Sequence, residues 1–135
     1  MVHLIVGPKG SGKTKRLIAE VNTAAKSASG DVVCIEYGKK LTYDVSHKAR
    51  LVDAQECGIC TPNMFTGFLT GLHAGNFDIT HIFIDNLYRT IGANREAVTE
   101  FILWCLEFSE RNQIEMTITI SDNPNLMSKE IQALI

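Results

Sequence analysis

The sequence predicts an α/β fold of three layers, in which a mainly parallel β-sheet lies between helices. Short apolar runs alternate along the chain with segments whose apolar residues recur every three or four positions. Such alternation is typical of parallel sheets with helical crossovers. The composition, with 45% apolar and 21% charged residues, is that of an ordinary globular domain. Because domains usually contain about 100–200 residues, the 135 residues predict one domain spanning 1–135.

Each element is predicted from a local pattern. Short runs rich in branched apolar residues predict buried strands at 2–6, 32–37, 79–85 and 116–121. Helical spacing predicts helices at 13–27, 62–74 and 94–111, with a closing helix from Pro124 onward. Thr61 and Pro62 are residue types preferred at the N-cap and first position of a helix. The polar residues 38–50 predict a loop, whereas 51–59 fits either a strand or a turn of helix.

The charges are unevenly distributed along the chain. Residues 1–50 contain nine Lys and Arg against four Asp and Glu, whereas residues 51–135 contain four against eleven. A basic first third suits a ligand that carries phosphate, and the net charge of −2 argues against a dedicated nucleic-acid surface. An ordinary solvated charge distribution is the alternative. The sequence shows neither a membrane span nor a secretion signal, so a cytoplasmic location is expected.

The most informative segment joins the first strand to the first helix. It reads GPKGSGKT and comprises Gly7, Pro8, Lys9, Gly10, Ser11, Gly12, Lys13 and Thr14. The pattern G-x-x-x-x-G-K-[ST] at such a junction places backbone N–H groups and a helix N-terminus around phosphate oxygens. Lys13 is expected to contact the terminal phosphates and take part in catalysis, and the Thr14 hydroxyl to bind Mg²⁺. The segment predicts a site for ATP or another nucleoside triphosphate; the alternative is a glycine-rich turn that matches by coincidence.

A second candidate lies at the end of the strand 79–85, whose last six residues read THIFID. In a parallel sheet, Asp85 would emerge at the carboxyl edge, where the loop 7–14 also lies. A carboxylate at that edge can hold a water of the Mg²⁺ shell. Asp85 is therefore predicted to complete the metal site with Thr14 and to take part in catalysis.

The two motifs together resemble the P-loop NTPase superfamily, with 7–14 as Walker A and 82–85 as Walker B. Within it, the chain is most similar to the core of the thymidine kinase family, whose loop also ends S-G-K-[ST]. The resemblance implies a three-layer P-loop NTPase fold and phosphate binding. It does not extend to the reaction, because that family has a catalytic Glu after the Walker B Asp, where this chain has Asn86. The family's zinc module and C-terminal lasso also have no counterpart in the sequence.

Four further residues near strand ends are weaker candidates. Glu36 ends the second strand and is predicted to reach the same edge as Asp85, where it would orient an attacking water as the catalytic base. Ser121 and Asp122 follow the last strand and are candidates for sensing the terminal phosphate. Arg89 is a candidate for offsetting transition-state charge, although a surface ion pair is the expected role.

The cysteine and tryptophan residues give weaker indications of function. Cys57 and Cys60 form a lone C-x-x-C, and structural zinc needs four ligands, so no zinc is expected. Cys34 and Cys105 are predicted to be buried. Trp104 widens the apolar stripe of the helix 94–111, which is either covered by the fold or forms a surface for a protein partner or a second copy of the chain.

The sequence therefore predicts a protein that binds a nucleoside triphosphate with Mg²⁺ and hydrolyses it slowly or only with a partner. One alternative is a nucleoside-kinase-like phosphotransferase, which would need an acceptor site within residues 38–76. The other is a non-enzymatic module in which the nucleotide orders an interaction surface, and the amide at Asn86 favours this over a fast enzyme.

Overall fold

The computed structural model describes residues 1–135 and contains one five-stranded sheet in which all neighbouring strands are parallel. The strands are β1 (Val2–Gly7), β2 (Asp31–Glu36), β3 (Arg50–Asp53), β4 (Ile79–Ile84) and β5 (Glu115–Ser121), in the spatial order β1-β5-β4-β2-β3. The helices are α1 (Lys13–Ser27), α2 (Pro62–Gly75), α3 (Leu87–Ile91), α4 (Arg95–Asn112) and α5 (Lys129–Gln132), and a 3₁₀ turn spans Pro124–Leu126. The predicted α/β sheet is confirmed, and it is wholly rather than mainly parallel.

The sheet separates two apolar cores, which gives the fold its three layers. The larger core holds 24 buried residues, most of them from the sheet, α2 and α4, with one each from α3 and α5. The smaller core holds nine, from the sheet, α1 and the segment 41–49. Strand β2 shows how one strand serves both cores, because successive side chains point to opposite faces. Val33 and Ile35 belong to the larger core, whereas Val32 and Cys34 belong to the smaller one.

Helix α2 begins where the sequence predicts. The Thr61 hydroxyl accepts a hydrogen bond of 3.1 Å from the N–H of Met64, and Pro62 occupies the first helical turn. This cap satisfies one of the N–H groups that a helix leaves free at its start. The helix then buries Phe65, whose ring centroid lies 5.1 Å from that of Phe101 on α4.

Helix α4 carries an apolar stripe that is wider than one face. Leu103, Trp104 and Leu106 are partly buried and pack against the larger core. The fold therefore covers these three side chains in part, and a surface for a protein partner or a second copy of the chain stays a prediction. Although α4 is the longest helix, neither it nor any other helix is long and apolar enough to cross a membrane.

The ambiguous segment 51–59 is a short strand followed by a turn. β3 pairs with β2 and ends at Asp53. The Asp53 carboxylate accepts hydrogen bonds from the N–H groups of Gly38 at 2.8 Å and Gln55 at 2.9 Å. Hydrogen bonds from a carboxylate to nearby backbone groups favour a turn over continued strand pairing.

The prediction of a single closing helix is wrong. The Asn123 side chain accepts from the N–H of Asn125 and starts the 3₁₀ turn, after which Met127 is extended. The Ser128 hydroxyl then accepts from the N–H of Ile131 and starts α5 as a separate helix. Two side-chain caps thus divide a segment that was predicted as one helix. The five-residue α3 was not predicted, because it is too short to show helical spacing.

Candidate functional site

The loop between β1 and α1 has a backbone that only its glycines adopt easily. Gly10 and Gly12 have φ angles of +83° and +86°, which side chains disfavour. A Cβ at Gly7 would lie 2.8 Å from the Ser11 hydroxyl oxygen. Gly12 also occupies the N-cap of α1 without any side-chain cap. The first N–H groups of α1 therefore have no side-chain cap, and the positive end of the helix dipole lies where the loop joins the helix.

A cavity of about 430 Å³ opens at this loop, and it is polar and basic. Its lining residues are Lys9, Gly10, Gly12, Lys13, Thr14, Lys15, Asn86, Thr119 and Ser121, none of them hydrophobic. None of the three lysines is in a salt bridge. The Lys13 ammonium donates one hydrogen bond of 2.8 Å to the Pro8 carbonyl, and an ammonium has two further donors to offer. The composition of this cavity suits an anion.

The structure brings Thr14 and Asp85 together across 71 residues of sequence. The Thr14 hydroxyl donates to the Asp85 carboxylate, at 3.2 Å from Oδ1 and 3.1 Å from Oδ2. Asp85 itself is 8% exposed, and its N–H donates to the Ile35 carbonyl at 2.9 Å. The sequence-based expectation that these two side chains meet at the carboxyl edge of the sheet is confirmed.

Thr119 is a residue of this site that sequence reasoning missed. Its buried hydroxyl donates to Asp85 Oδ1 at 2.7 Å and accepts from the N–H of Asn86 at 2.7 Å. The one signal in the sequence was the polar alternation of Thr117, Thr119 and Ser121 within an otherwise apolar strand. Thr119 holds both Asp85 and the following turn in place, so it fixes the direction of the carboxylate.

Asn86 occupies a turn that few residues tolerate. Its φ of 55° and ψ of 61° are left-handed, a region that Asn enters more readily than most side chains. Its N–H donates to the Thr119 hydroxyl, and its carbonyl accepts from the N–H of Arg89 at 3.1 Å as α3 begins. Asn86 therefore directs the chain from Asp85 into α3.

The oxygen atoms at Thr14 and Asp85 fit Mg²⁺. Hydroxyl and carboxylate oxygens are its preferred donor type. The Thr14 hydroxyl and the Asp85 carboxylate, which are hydrogen-bonded to each other, are the residues that would hold it. No group of three or more His, Cys, Asp or Glu side chains is placed to hold a metal. A metal at this pair would thus take its remaining ligands from phosphate and water.

Glu36 lies at the same edge, as predicted. It lines a cavity of about 130 Å³ with Thr14, Asp85 and Arg89. The residue is 4% exposed, and its two carboxylate oxygens accept from the N–H groups of Lys40 at 3.0 Å and Leu41 at 2.9 Å. Burial raises the pKa of Glu36 above its usual value; these hydrogen bonds oppose the rise, and the nearby charge of Asp85 adds to it.

Asp122 is not among the residues that line the basic cavity, and no contact of its carboxylate supports the suggested role in sensing phosphate, which stays a prediction. Arg95 donates two hydrogen bonds to its carboxylate, at 2.9 and 2.8 Å, and the Tyr88 hydroxyl donates a third. Arg95 lowers the pKa of Asp122 well below its usual value. Burial and the bond to Asp122 raise the pKa of Tyr88 to about 12. Ser121, one residue earlier, does line the cavity.

The surface ion pair expected for Arg89 is absent. Arg89 is in no salt bridge, and its guanidinium lies 5.4 Å from the centroid of the Tyr37 ring. The exposed side chain lines the cavity that contains Glu36 and Asp85.

The four cysteines are free thiols. Cys34 and Cys105 are buried as predicted, and burial, followed by the charge of Asp85, raises the pKa of Cys34 to about 12. Cys57 and Cys60 are exposed, and the nearest polar contact of Cys60 is the Met64 sulfur at 3.6 Å. The absence of zinc at this pair remains a prediction.

No protein-family model matches the chain, and a search of curated proteins finds no significant match.

Proposed function

We propose that the chain is a P-loop NTPase that binds ATP or another nucleoside triphosphate with Mg²⁺ and hydrolyses it slowly or with the help of a partner. One observation carries the proposal. A glycine loop with two left-handed residues joins a parallel strand to an uncapped helix and opens into a basic cavity. Thr14 lines that cavity, and its hydroxyl donates to the Asp85 carboxylate behind it.

Phosphate binding follows from donors that are already in place. The uncapped first turn of α1 offers backbone N–H groups and a positive dipole end to phosphate oxygens. Lys13 adds an ammonium with two donors to spare, and Lys9 and Lys15 add positive charge. A triphosphate anion is large enough to use all of these groups, whereas a single carboxylate is not.

The metal would be held by the Thr14 hydroxyl and the Asp85 carboxylate. Mg²⁺ in such a position supplies charge that offsets the developing negative charge on the phosphates. Thr119 keeps Asp85 aimed at this position through its bond of 2.7 Å to Oδ1, which leaves Oδ2 with Thr14 as its hydrogen-bond donor. Lys13, Thr14 and Asp85 are thus proposed to position the phosphates for reaction.

Slow hydrolysis is expected because Asn86 stands beside Asp85, where an amide cannot accept a proton. Glu36 is the carboxylate in the adjacent cavity, and its raised pKa makes it a stronger base than an exposed Glu. Both its oxygens already accept a backbone N–H, but each carboxylate oxygen has a second lone pair. Glu36 is proposed as the base that orients the attacking water.

Cavity size favours water over a nucleoside as the acceptor. The cavity beside Asp85 holds about 130 Å³, whereas pockets for drug-sized ligands hold about 300–1,000 Å³. Residues Leu41, Val45 and Ala49, within the segment where an acceptor site would be needed, are buried in the smaller core. A nucleoside kinase therefore fits this geometry less well. The non-enzymatic module remains the second candidate, because it needs only the phosphate site.

The binding claim is tested by titrating the protein with ATP, GTP and their diphosphates in the presence of Mg²⁺ by calorimetry. Lys13→Ala removes a charged donor from the basic cavity but no core contact. A hydrogen bond between charged groups contributes about 1.5–3 kcal/mol, so we expect triphosphate affinity to fall by about 10²-fold with the fold intact. Lys26→Ala, an exposed lysine in the last turn of α1, is the matched control and should bind normally. Equal affinities in both variants would contradict the phosphate-loop assignment.

A further inference from the structure

Arg89 differs from most other arginines of the chain in having no carboxylate partner. Arg16, Arg95 and Arg111 each form a salt bridge with a nearby acid. Arg89 lines the same cavity as the Glu36 and Asp85 carboxylates but pairs with neither. Its guanidinium lies 5.4 Å from the centroid of the Tyr37 ring instead. A cation over an aromatic face is attracted without using its hydrogen-bond donors, so the donors of Arg89 remain free.

The backbone of Arg89 is tied to the metal-site carboxylate. Its N–H donates to the carbonyl of Asn86 at 3.1 Å, one residue after Asp85. The flanking residues Leu87 and Thr90 are buried and anchor α3. The side chain therefore extends from a fixed backbone position four residues beyond Asp85, and its guanidinium lies over the Tyr37 ring.

Two cavities meet at Thr14 and Asn86. The basic cavity of about 430 Å³ lies on the loop side, and the cavity of about 130 Å³ lies on the side of Glu36 and Arg89. Both are lined by Thr14 and Asn86. A triphosphate in the basic cavity would have its terminal group next to Thr14, at the boundary between the two. Arg89 and Lys40 line the small cavity that adjoins this boundary, whereas Lys9, Lys13 and Lys15 line the basic cavity.

We propose that Arg89 contacts the terminal phosphoryl group of the bound triphosphate from within the same chain and stabilises the charge that develops there during hydrolysis. This inference rests on the proposed function. Arg89 would thus be a catalytic residue outside both the loop 7–14 and Asp85. The small cavity would hold the attacking water, between Glu36 and the terminal phosphorus.

Hydrolysis would transfer the terminal phosphoryl group from the nucleotide to water. The water oxygen forms a bond to the terminal phosphorus, and the bond from that phosphorus to the bridging oxygen breaks. The bridging oxygen keeps the electron pair as part of the diphosphate, and Glu36 accepts the proton of the water before releasing it to solvent. Charge builds on the terminal and bridging oxygens, where a guanidinium with free donors stabilises the transition state more than the bound substrate.

The test compares Arg89→Gln with Arg111→Gln, which removes the same charge from an exposed arginine in the last turn of α4. Single-turnover hydrolysis of ATP with Mg²⁺ should be about 10³-fold slower in Arg89→Gln, the lower end of the range for such arginines. ATP affinity should change by less than about threefold, because the residue acts in the transition state. Arg89→Lys should restore part of the rate, and Arg111→Gln should match the wild type.

A binding measurement separates a catalytic from a structural role. Aluminium fluoride with ADP and Mg²⁺ mimics the transferring group, and a residue that stabilises the transition state favours that complex over ADP alone. The wild type should bind ADP more tightly when aluminium fluoride is present, and Arg89→Gln should lose this gain while retaining its affinity for ADP. An Arg89→Gln protein that keeps the gain, or hydrolyses as fast as Arg111→Gln, would overturn the inference and leave the proposed function standing.

Failure of the proposed function gives a different result. A wild-type chain that does not bind ATP with Mg²⁺ would refute the phosphate site and the role of Arg89 with it. A wild type that binds ATP but releases no phosphate would refute both unaided hydrolysis and the role of Arg89 in it, and would leave the phosphate site standing. Variants of Tyr37 test whether its ring positions Arg89. Tyr37→Phe keeps the ring and should leave the rate unchanged, whereas Tyr37→Leu should slow hydrolysis by about 2–5-fold. Equal rates in these two variants would contradict guidance by the ring.

Discussion

Asp85 and Asp122 follow neighbouring parallel strands at the same edge of the sheet, but their carboxylates are held differently. Asp85 accepts hydrogen bonds from the hydroxyls of Thr14 and Thr119, which are neutral. Asp122 is held by the guanidinium of Arg95 and by the Tyr88 hydroxyl. A carboxylate among hydroxyls keeps its charge available for a cation, whereas one bound to a guanidinium is already neutralised. The position of an acid at a strand end therefore does not by itself make it a site residue; its partners do.

Among the three acids at this edge, the largest effect on the rate is expected at Glu36. Without a base beside Asp85, unaided turnover should be about 0.1 s⁻¹ or less, since a missing base costs about 10²–10⁴-fold against a usual 1–100 s⁻¹. Glu36→Gln should lower the residual rate by about 10²-fold while sparing ATP affinity. Because the pKa of Glu36 is raised, the wild-type rate should fall as pH drops below that pKa. A wild-type chain turning over tens of ATP per second unaided would show that another base operates.

The next effect is the stability cost of disturbing Asp85. Thr119→Val leaves the buried N–H of Asn86 without its acceptor and removes a donor from Asp85. An unsatisfied buried polar group costs about 1–3 kcal/mol, and we expect a loss of this size in the free energy of unfolding, measured with urea. Thr117→Val is the matched control: Thr117 lies on the same strand and face, is 9% exposed and makes no side-chain hydrogen bond. Equal losses in both variants would contradict the role given to Thr119.

A smaller effect is expected from Asp122, and its dependence on pH distinguishes it from Asp85. Because Arg95 lowers the pKa of Asp122 in the fold, the unfolded chain takes up this proton first as pH falls. The stability that the pair contributes is complete above about pH 5 and is lost as pH falls toward the lower pKa of the folded state. Asp122→Asn should therefore be less stable than the wild type at neutral pH and should lose less on acidification. Parallel stability profiles between about pH 2 and 7 would refute this account.

The elements that could be predicted from the sequence are those with local signals. The strand-to-helix junction at 7–14 has its own residue pattern, and the apolar runs of buried strands are visible because both faces are covered. The N-cap at Thr61 is equally local, and its bond to Met64 was found where expected. Asp85 was predicted from the rule that parallel strands end at one edge, which needs only the fold class.

The residues that were missed depend on register between distant strands. Thr119 meets Asp85 because β5 lies between β1 and β4, with Phe83 opposite Thr117. No local pattern in the sequence specifies that neighbour. The pairing of Asp122 with Arg95 likewise depends on where α4 begins relative to β5. Which of the acids at strand ends is free for a ligand depends on side chains that are distant in sequence. The order of residues alone therefore could not distinguish Asp85 from Asp122.

The account is tested most directly by measuring ATP affinity with Mg²⁺ and with a chelator in the wild type, Asp85→Asn and Asp122→Asn. We predict that Mg²⁺ strengthens ATP binding to the wild type and to Asp122→Asn, because both keep the Thr14–Asp85 pair. Asp85→Asn should bind ATP similarly with and without Mg²⁺, since an amide replaces the charged ligand of the metal. If Asp85→Asn lost affinity equally under both conditions, or if Asp122→Asn lost the Mg²⁺ dependence instead, Asp85 would be structural and the proposed metal site would be wrong.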